Sequence, residues 1–199
     1  VRYRTLTAPF EYASDPIKGS KFLAVLAPSP TEDQAMSVVR ATEARFADTT
    51  HQCWAWRLRD GRSRSWDAGE PRGSAGRPIL AQLEGHDVHD LVAIVVRWYG
   101  GTPLGVGGLM RAYGGTAGMA LDRAPIEEVP ATRDLVFEHS YDDTNALAAA
   151  LAPYAVTVVD TAWDATVHLT IRVDEADADA VIGAVRDRTG GRVRPRQDP

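Results

Sequence analysis

Residues 66–113 read WDAGEPRGSAGRPILAQLEGHDVHDLVAIVVRWYGGTPLGVGGLMRAY. Within this stretch Leu91 to Val96 is a continuous apolar run, mostly β-branched. A run that short, bounded by polar residues and glycine, predicts a central strand buried on both faces. Gly100-Gly101 and Thr102-Pro103 end it. Leu109, Met110, Ala112, Tyr113 and Ala117 then recur at helical spacing, so the local plan is strand, glycine loop, helix. Gly100, Gly101, Gly107 and Gly108 admit two readings. They serve tight turns and close packing, or their N–H groups converge on an anion at a helix start. The sequence GGTPLGVGGL has no Lys-Ser/Thr ending and does not fit G-x-G-x-x-G in register.

The earlier loop holds a dense polar cluster. Asp67 and Glu70 flank Gly69, Pro71 stiffens the turn, and Arg72 and Ser74 supply donors. Ser74 is the expected cap of a helix through Ile79, Leu80 and Leu83, with Pro78 in its first turn. Two carboxylates three apart can do acid–base work, hold a metal or brace a loop. Upstream, Gln52 to Leu58 alternates as a strand, with Trp54 and Trp56 on one face and His51, Cys53 and Ala55 on the other. His51 and Cys53 read as ordinary packing, with two alternatives: a reactive thiol, or a metal site that Asp67 or Glu70 would have to complete, since no further zinc ligands stand at a recognisable spacing; no metal and no cofactor are expected. Arg72, Arg77, Arg97 and Arg111 are interleaved with Trp98, Tyr99 and Tyr113, and residues 98–116 contain no acid. Arginine beside aromatic rings suits phosphate contact with base stacking. Internal pairing of Arg97 and Arg111 with Asp67 or Glu70 is the competing reading.

GEPRGSAGRPIL followed by VVRWYGGTPLGVGGLMRAYG resembles the signature of the YigZ/IMPACT family. The matching positions include Asp67, Gly69, Glu70, Pro71, Gly73, Ala75, Gly76 and Pro78, then Arg97, Tyr99, Gly100, Gly101, Gly105, Gly107, Gly108, Arg111 and Tyr113. Lys18 to Phe22 and Phe46 to Trp56 look like further family stretches, so the resemblance covers residues 15–120 or so. Ala68 stands where the family pattern has a second Asp, which weakens any mechanism needing an Asp–Asp pair.

The whole chain has 199 residues, 44% hydrophobic and 25% charged, with net charge −5. These values suit an ordinary globular protein and argue against wholesale coating of nucleic acid, though not against a local basic site. One cysteine excludes an internal disulfide. No apolar stretch approaches the roughly 20 residues of a membrane span. No signal-peptide pattern stands at the start, and the compartment reads as cytoplasmic. Residues 2–12 predict a first strand, paired antiparallel with a second around Phe22 to Leu26. Thr31 predicts the cap of a helix whose face is Ala35, Val38, Val39, Thr42 and Phe46. Ala124 to Thr132, with two prolines, reads as an interdomain linker. Beyond it the order β-α-β-β-α-β, with Arg192 to Arg194 as the last strand, is the ferredoxin-like plan. Residues 134–185 carry ten acids and one arginine, whereas residues 186–196 carry five arginines and one aspartate. Those arginines are expected to pair onto the acidic surface.

The expected fold is α+β in two domains, 1–128 and 129–199. The resemblance implies an N-terminal domain like domain IV of elongation factor G and a C-terminal domain like its domain V. It also implies a non-catalytic, translation-linked regulator acting under starvation stress, with RNA, the ribosome or a ribosome-associated protein as partner. The expected contact residues are Arg72, Arg77, Arg97, Tyr99, Gly100, Gly101, Gly107, Gly108, Arg111 and Tyr113. The alternatives are a hydrolase built on Asp67, Glu70 and His51, or a small-anion module at the glycine loops.

Overall fold

A computed structural model describes residues 1–196. In chain order the elements are β1 (Arg2–Leu6), β2 (Phe10–Ala13), β3 (Lys21–Pro28), α1 (Glu32–Arg45), β4 (His51–Arg57), β5 (Ser63–Trp66) and α2 (Gly76–Gly85). They continue with β6 (Val88–His89), β7 (Leu91–Trp98), α3 (Gly105–Leu121), β8 (Ile126–Pro130) and β9 (Thr132–His139). A one-turn 3₁₀ helix (Tyr141–Asp143) precedes α4 (Thr144–Leu151), β10 (Val156–Trp163), β11 (Val167–Asp174) and α5 (Ala178–Arg188). The chain is an α+β protein that divides into two compact units, Tyr3–Val129 and Val1–Arg2 with the residues from Pro130 onward. No helix among the described residues is long and apolar enough to cross a membrane.

The first unit is organised on a five-stranded antiparallel sheet of order β2-β3-β7-β4-β5. The strand β7 lies at its centre, and every residue from Leu91 to Arg97 is buried, as its unbroken apolar run predicts. Alternation then sorts the side chains. Leu91, Ala93 and Val95 join Cys53 and Ala55 under α2 and α3. Val92, Ile94 and Val96 join Trp54 and Trp56 under α1, where Ala35 and Val39 pack. The caps differ in quality. Thr31 caps α1 as expected, its hydroxyl accepting from the Gln34 amide at 3.3 Å.

Three sequence expectations need correction. Residues 2–12 are not one strand: β2 pairs with β3, while β1 leaves for a small sheet of order β6-β1-β8. Thr7 to Pro9 break the run, and although β1 leaves the large sheet, its Leu6 is buried in the same core as Leu26, Leu91 and Val88. The presumed linker contains strand β8, adjacent to β1, and only Ala131 separates it from β9. Of its two prolines, Pro125 precedes β8 and Pro130 is its last residue, which an edge strand accommodates. Finally, the last strand of the second unit is reduced to one bridge, Phe137 to Pro195, beyond the expected Arg192 to Arg194.

The second unit stands on the antiparallel sheet β10-β11-β9. Leu135, Phe137, Ile171 and Val173 pack under Leu147 and Leu151 of α4 and Val181 and Val185 of α5. Two of the five tail arginines pair onto the acids of residues 134–185. Arg192 Nη2 lies 2.7 Å from Asp143, and Arg196 Nη2 lies 3.2 Å from Glu138.

Glycine is required where two backbones meet in the first unit. A Cβ on Gly100 would fall 2.0 Å from the carbonyl carbon of Gly19, so no side chain fits. Gly101 has φ +84° but open space around it. Gly100→Ala is therefore expected to cost about 3 kcal/mol or more, at the upper end of overpacking. Gly101→Ala should cost about 1 kcal/mol, for its left-handed backbone alone. Urea denaturation of the two variants measures the difference.

Candidate functional site

Strand register assembles the centre. His51 on β4 lies directly across from Arg97 on β7, and Phe22 on β3 lies across from Arg97 on its other side. All three belong to the row that faces α2 and α3, at the end of the sheet. The signature loop crosses over that row and sets Glu70 against it.

Three groups converge on one oxygen of Glu70. Arg97 Nη1 donates to Oε1 at 2.6 Å and the Tyr113 hydroxyl, from α3, donates to it at 2.7 Å. His51 Nε2 stands 3.8 Å away. The side chains of Glu70 and Arg97 are each only 5% exposed, so this is a buried ion pair and not a surface one. The guanidinium is held on its other sides as well. Nη2 donates to Ser20 Oγ at 3.2 Å, and the cation lies 5.7 Å and 5.3 Å from the rings of Phe22 and Tyr99. The Gly100 amide also donates to Ser20 Oγ. Arg97 Nε has no hydrogen-bond partner, which leaves one uncompensated donor in the site.

Asp67 does different work. One of its oxygens accepts from the amides of Ala75 and Gly76 at 3.1 and 2.9 Å, and the other from Gly73 at 2.8 Å. Partial burial opposes its ionisation, but these three donors outweigh it and hold the carboxyl below the usual aspartate range. Asp67 thus occupies the anion position at the start of α2. This corrects the expectation for Ser74, whose hydroxyl donates to the Pro71 carbonyl instead. It also means those amides cannot assist Arg77 in gripping an external phosphate.

His51 and Cys53 are both tied to the same loop. His51 Nδ1 donates to the Ala68 carbonyl at 2.9 Å, which turns Nε2 towards Glu70. The Cys53 thiol donates to the Asp67 carbonyl at 3.0 Å. Burial pushes this thiol up to about 12, so it is no thiolate at neutral pH. Burial likewise raises the Tyr113 phenol, with Cys53 and Glu70 adding to the effect. Among the described residues no group of three His, Cys, Asp or Glu side chains is placed to hold a metal ion. Ala68 has φ +46°, a left-handed conformation that an Asp or Asn side chain tolerates better than Ala. The missing family carboxylate therefore falls on a turn residue whose carbonyl is the part in use.

The ten expected contact residues separate into two groups. Arg97 and Tyr113 are buried and committed to Glu70, so they are not part of any surface; that expectation is corrected. Arg72, Arg77, Tyr99, Gly100, Gly101, Gly107 and Arg111 are exposed, and Gly108 is half-buried. Arg77 lies in the first turn of α2 and Arg111 in the second turn of α3. Both line an open groove of about 830 Å³ between these helices, together with Gly73, Gln82, Met110 and Gly115. Sequence reading missed Ser20, whose signal was its place in the KGSKF stretch.

The fold and this loop define a two-unit α+β protein whose signature carboxylates are both bound within the fold. Residues 18–121, just over half of the chain, match the Impact N-terminal domain, and residues 138–192 match a domain of unknown function, DUF1949. The chain belongs to the IMPACT family. It is 33% identical over 164 residues to the IMPACT family member YigZ of Escherichia coli, covering 80% of each chain. A solved structure of a hypothetical protein superposes with a TM-score of 0.74 at 28% identity, over 100% of this chain and 98% of that one. The solved two-domain translational regulator Yih1 matches 60% of this chain and 46% of its own at 25% identity. Its TM-score of 0.34 is too low for an argument from shape.

Two outcomes test this account of the site. Glu70→Gln leaves Arg97 buried without its counter-charge and should destabilise the protein by about 3–5 kcal/mol, more than Glu70→Gln combined with Arg97→Met; chemical denaturation of both reads this. Cys53 has a folded pKa above its unfolded one. Its contribution is therefore present below about pH 9 and is lost as pH rises towards about 12. Wild-type stability should fall more steeply than that of Cys53→Ala across this window, and Cys53 should resist thiol reagents at pH 8 until the chain unfolds.

Proposed function

We propose that this protein is a non-catalytic, translation-linked regulator. It works in the cytoplasm, and its first unit contacts RNA on the ribosome or beside a ribosome-associated protein. The observation that carries this is the commitment of Glu70 to Arg97 and Tyr113. An acid–base carboxylate has to reach substrate, whereas this one is buried under its own loop. Asp67 is equally occupied by three amides. The signature then acts as a clamp, and the side chains it leaves outside are Arg72, Arg77 and Arg111. Arg72 still feels the Asp67 carboxylate, whereas among the described residues neither Arg77 nor Arg111 forms an ion pair, unlike Arg62, Arg64, Arg172 and Arg192.

The domain reading accompanies this proposal. Residues 1–128 form the unit like domain IV of elongation factor G. Residues 129–199 form a ferredoxin-like unit like its domain V, with a fourth strand shortened to a bridge. In favour of the ferredoxin plan are the strand order and the antiparallel neighbours of the second sheet. Fold likeness alone is weak evidence for function, so the decisive observation has to be binding.

The test is RNA affinity against salt. Each phosphate contact contributes a slope of about 0.7 for a single strand. The double variant Arg77→Ala, Arg111→Ala should remain folded, bind RNA more weakly and lose about 1.4 of that slope. Folded wild-type protein with no RNA affinity at low salt would remove RNA from the proposal and leave a protein partner.

A further inference from the structure

Helices α2 and α3 approach each other closely, and glycines make this possible. A Cβ on Gly118 would meet Gln82 Oε1 at 2.6 Å, and one on Gly114 would meet Pro78 at 3.3 Å. Gly115 is different. It lies in the interior of α3, it is exposed, and nothing stands within 4 Å of its Cβ position. A glycine there weakens the helix relative to alanine, and no neighbour in the protein requires it. It lines the groove that Arg77 and Arg111 also line.

We infer that this groove binds the sugar–phosphate backbone of a single-stranded RNA segment, with Arg77 and Arg111 on the phosphates and the bare helix at Gly115 as the floor. This rests on the RNA-contacting reading above. The groove's volume falls in the range of ligand clefts, roughly 300–1,000 Å³. Its two guanidinium groups have no acidic partner among the described residues and point to an anionic ligand. Exposed Met110, beside them, offers a soft apolar surface for a ribose or base. The missing side chain at position 115 discriminates between anions. A phosphodiester carries its charge on the chain itself, so a bare floor lets that chain settle within reach of both guanidinium groups. An acidic peptide carries charge at the tips of side chains and gains nothing from a bare floor. Glu84 lines the groove as well and makes that part of it unfavourable for phosphate.

Gly115→Leu projects a side chain over the floor from a Cβ position with nothing within 4 Å, and leucine is a good helix former. Gly183, inside α5, also has nothing within 4 Å and borders none of this groove, so Gly183→Leu is the control. The probe is a labelled single-stranded oligoribonucleotide, titrated by anisotropy, with melting temperature recorded for each variant. Gly115→Leu should lose tenfold or more in RNA affinity while its melting temperature holds or rises, and Gly183→Leu should bind as wild type does. Wild-type affinity in a folded Gly115→Leu would overturn the groove assignment while leaving RNA binding elsewhere on the protein intact. A wild-type protein that binds no RNA at low salt would instead overturn the parent reading. Oligoglutamate that binds as tightly as the RNA, with the same loss in Gly115→Leu, would reassign the groove to an acidic peptide.

Discussion

The buried pair of Glu70 and Arg97 is the constraint on which the first unit depends. Removing two charges from water costs several kcal/mol for each, and attraction between them offsets this only with good geometry and further hydrogen bonds. Here the contacts at 2.6 and 2.7 Å, the Ser20 hydroxyl and two aromatic rings provide that geometry. The consequence is positional. With Glu70 held at the end of β4 and β7, the loop between Asp67 and Gly76 has one path. That path delivers the Asp67 carboxylate to the first amides of α2, which sets where the helix starts and so where Arg77 projects. Tyr113 ties α3 to the same oxygen. One carboxylate thus sets the loop, two helices and one end of the central strand together.

Close backbone approach is the second organising feature, and it depends on the first. The two glycine turns at Gly19 and Gly100 meet beside Arg97, because Ser20 and Gly100 share the hydrogen bonds around its guanidinium. On the outer side, α2 and α3 come together at Gly114 and Gly118. Packing this tight leaves long side chains such as Arg77 and Arg111 no place inside. Arg97 is admitted to the interior only because Glu70 compensates it. The same residue type is therefore structural at one position of the signature and available for binding at another, and the difference lies in whether an acid faces it.

The second unit uses its charges differently. Its acids are numerous, yet the arginines near its end lie against Asp143 and Glu138, and Arg172 lies against Asp134. The Arg196 and Arg172 pairs are exposed on both sides and contribute little stability individually, while Asp143 is buried and Arg192 covers it from the surface. All three pairs lower the local positive potential, which makes the first unit the better candidate for an anionic partner.

The sequence by itself determined most elements of the large sheet and its helices, with their faces. The apolar run of β7, the alternation of Trp54 and Trp56 against His51 and Cys53, the Thr31 cap and the kinship of the signature were all legible, because strand and helix periodicity are properties of short stretches. The fate of individual charged residues was not legible in this way. Glu70 and Arg97 are 27 positions apart, and whether they meet depends on strand order and on the register that sets His51 across from Arg97. The departure of β1 into a second sheet, and the strand within the proline stretch at 126–130, likewise depend on a partner strand far along the chain. Only the tertiary structure decided that Asp67, and not Ser74, closes the start of α2, because a cap eight residues distant is supplied by the fold of the loop and not by local propensity. Burial of an arginine is a contest between desolvation and a counter-charge, and that contest is settled only once the chain has brought the counter-charge within reach.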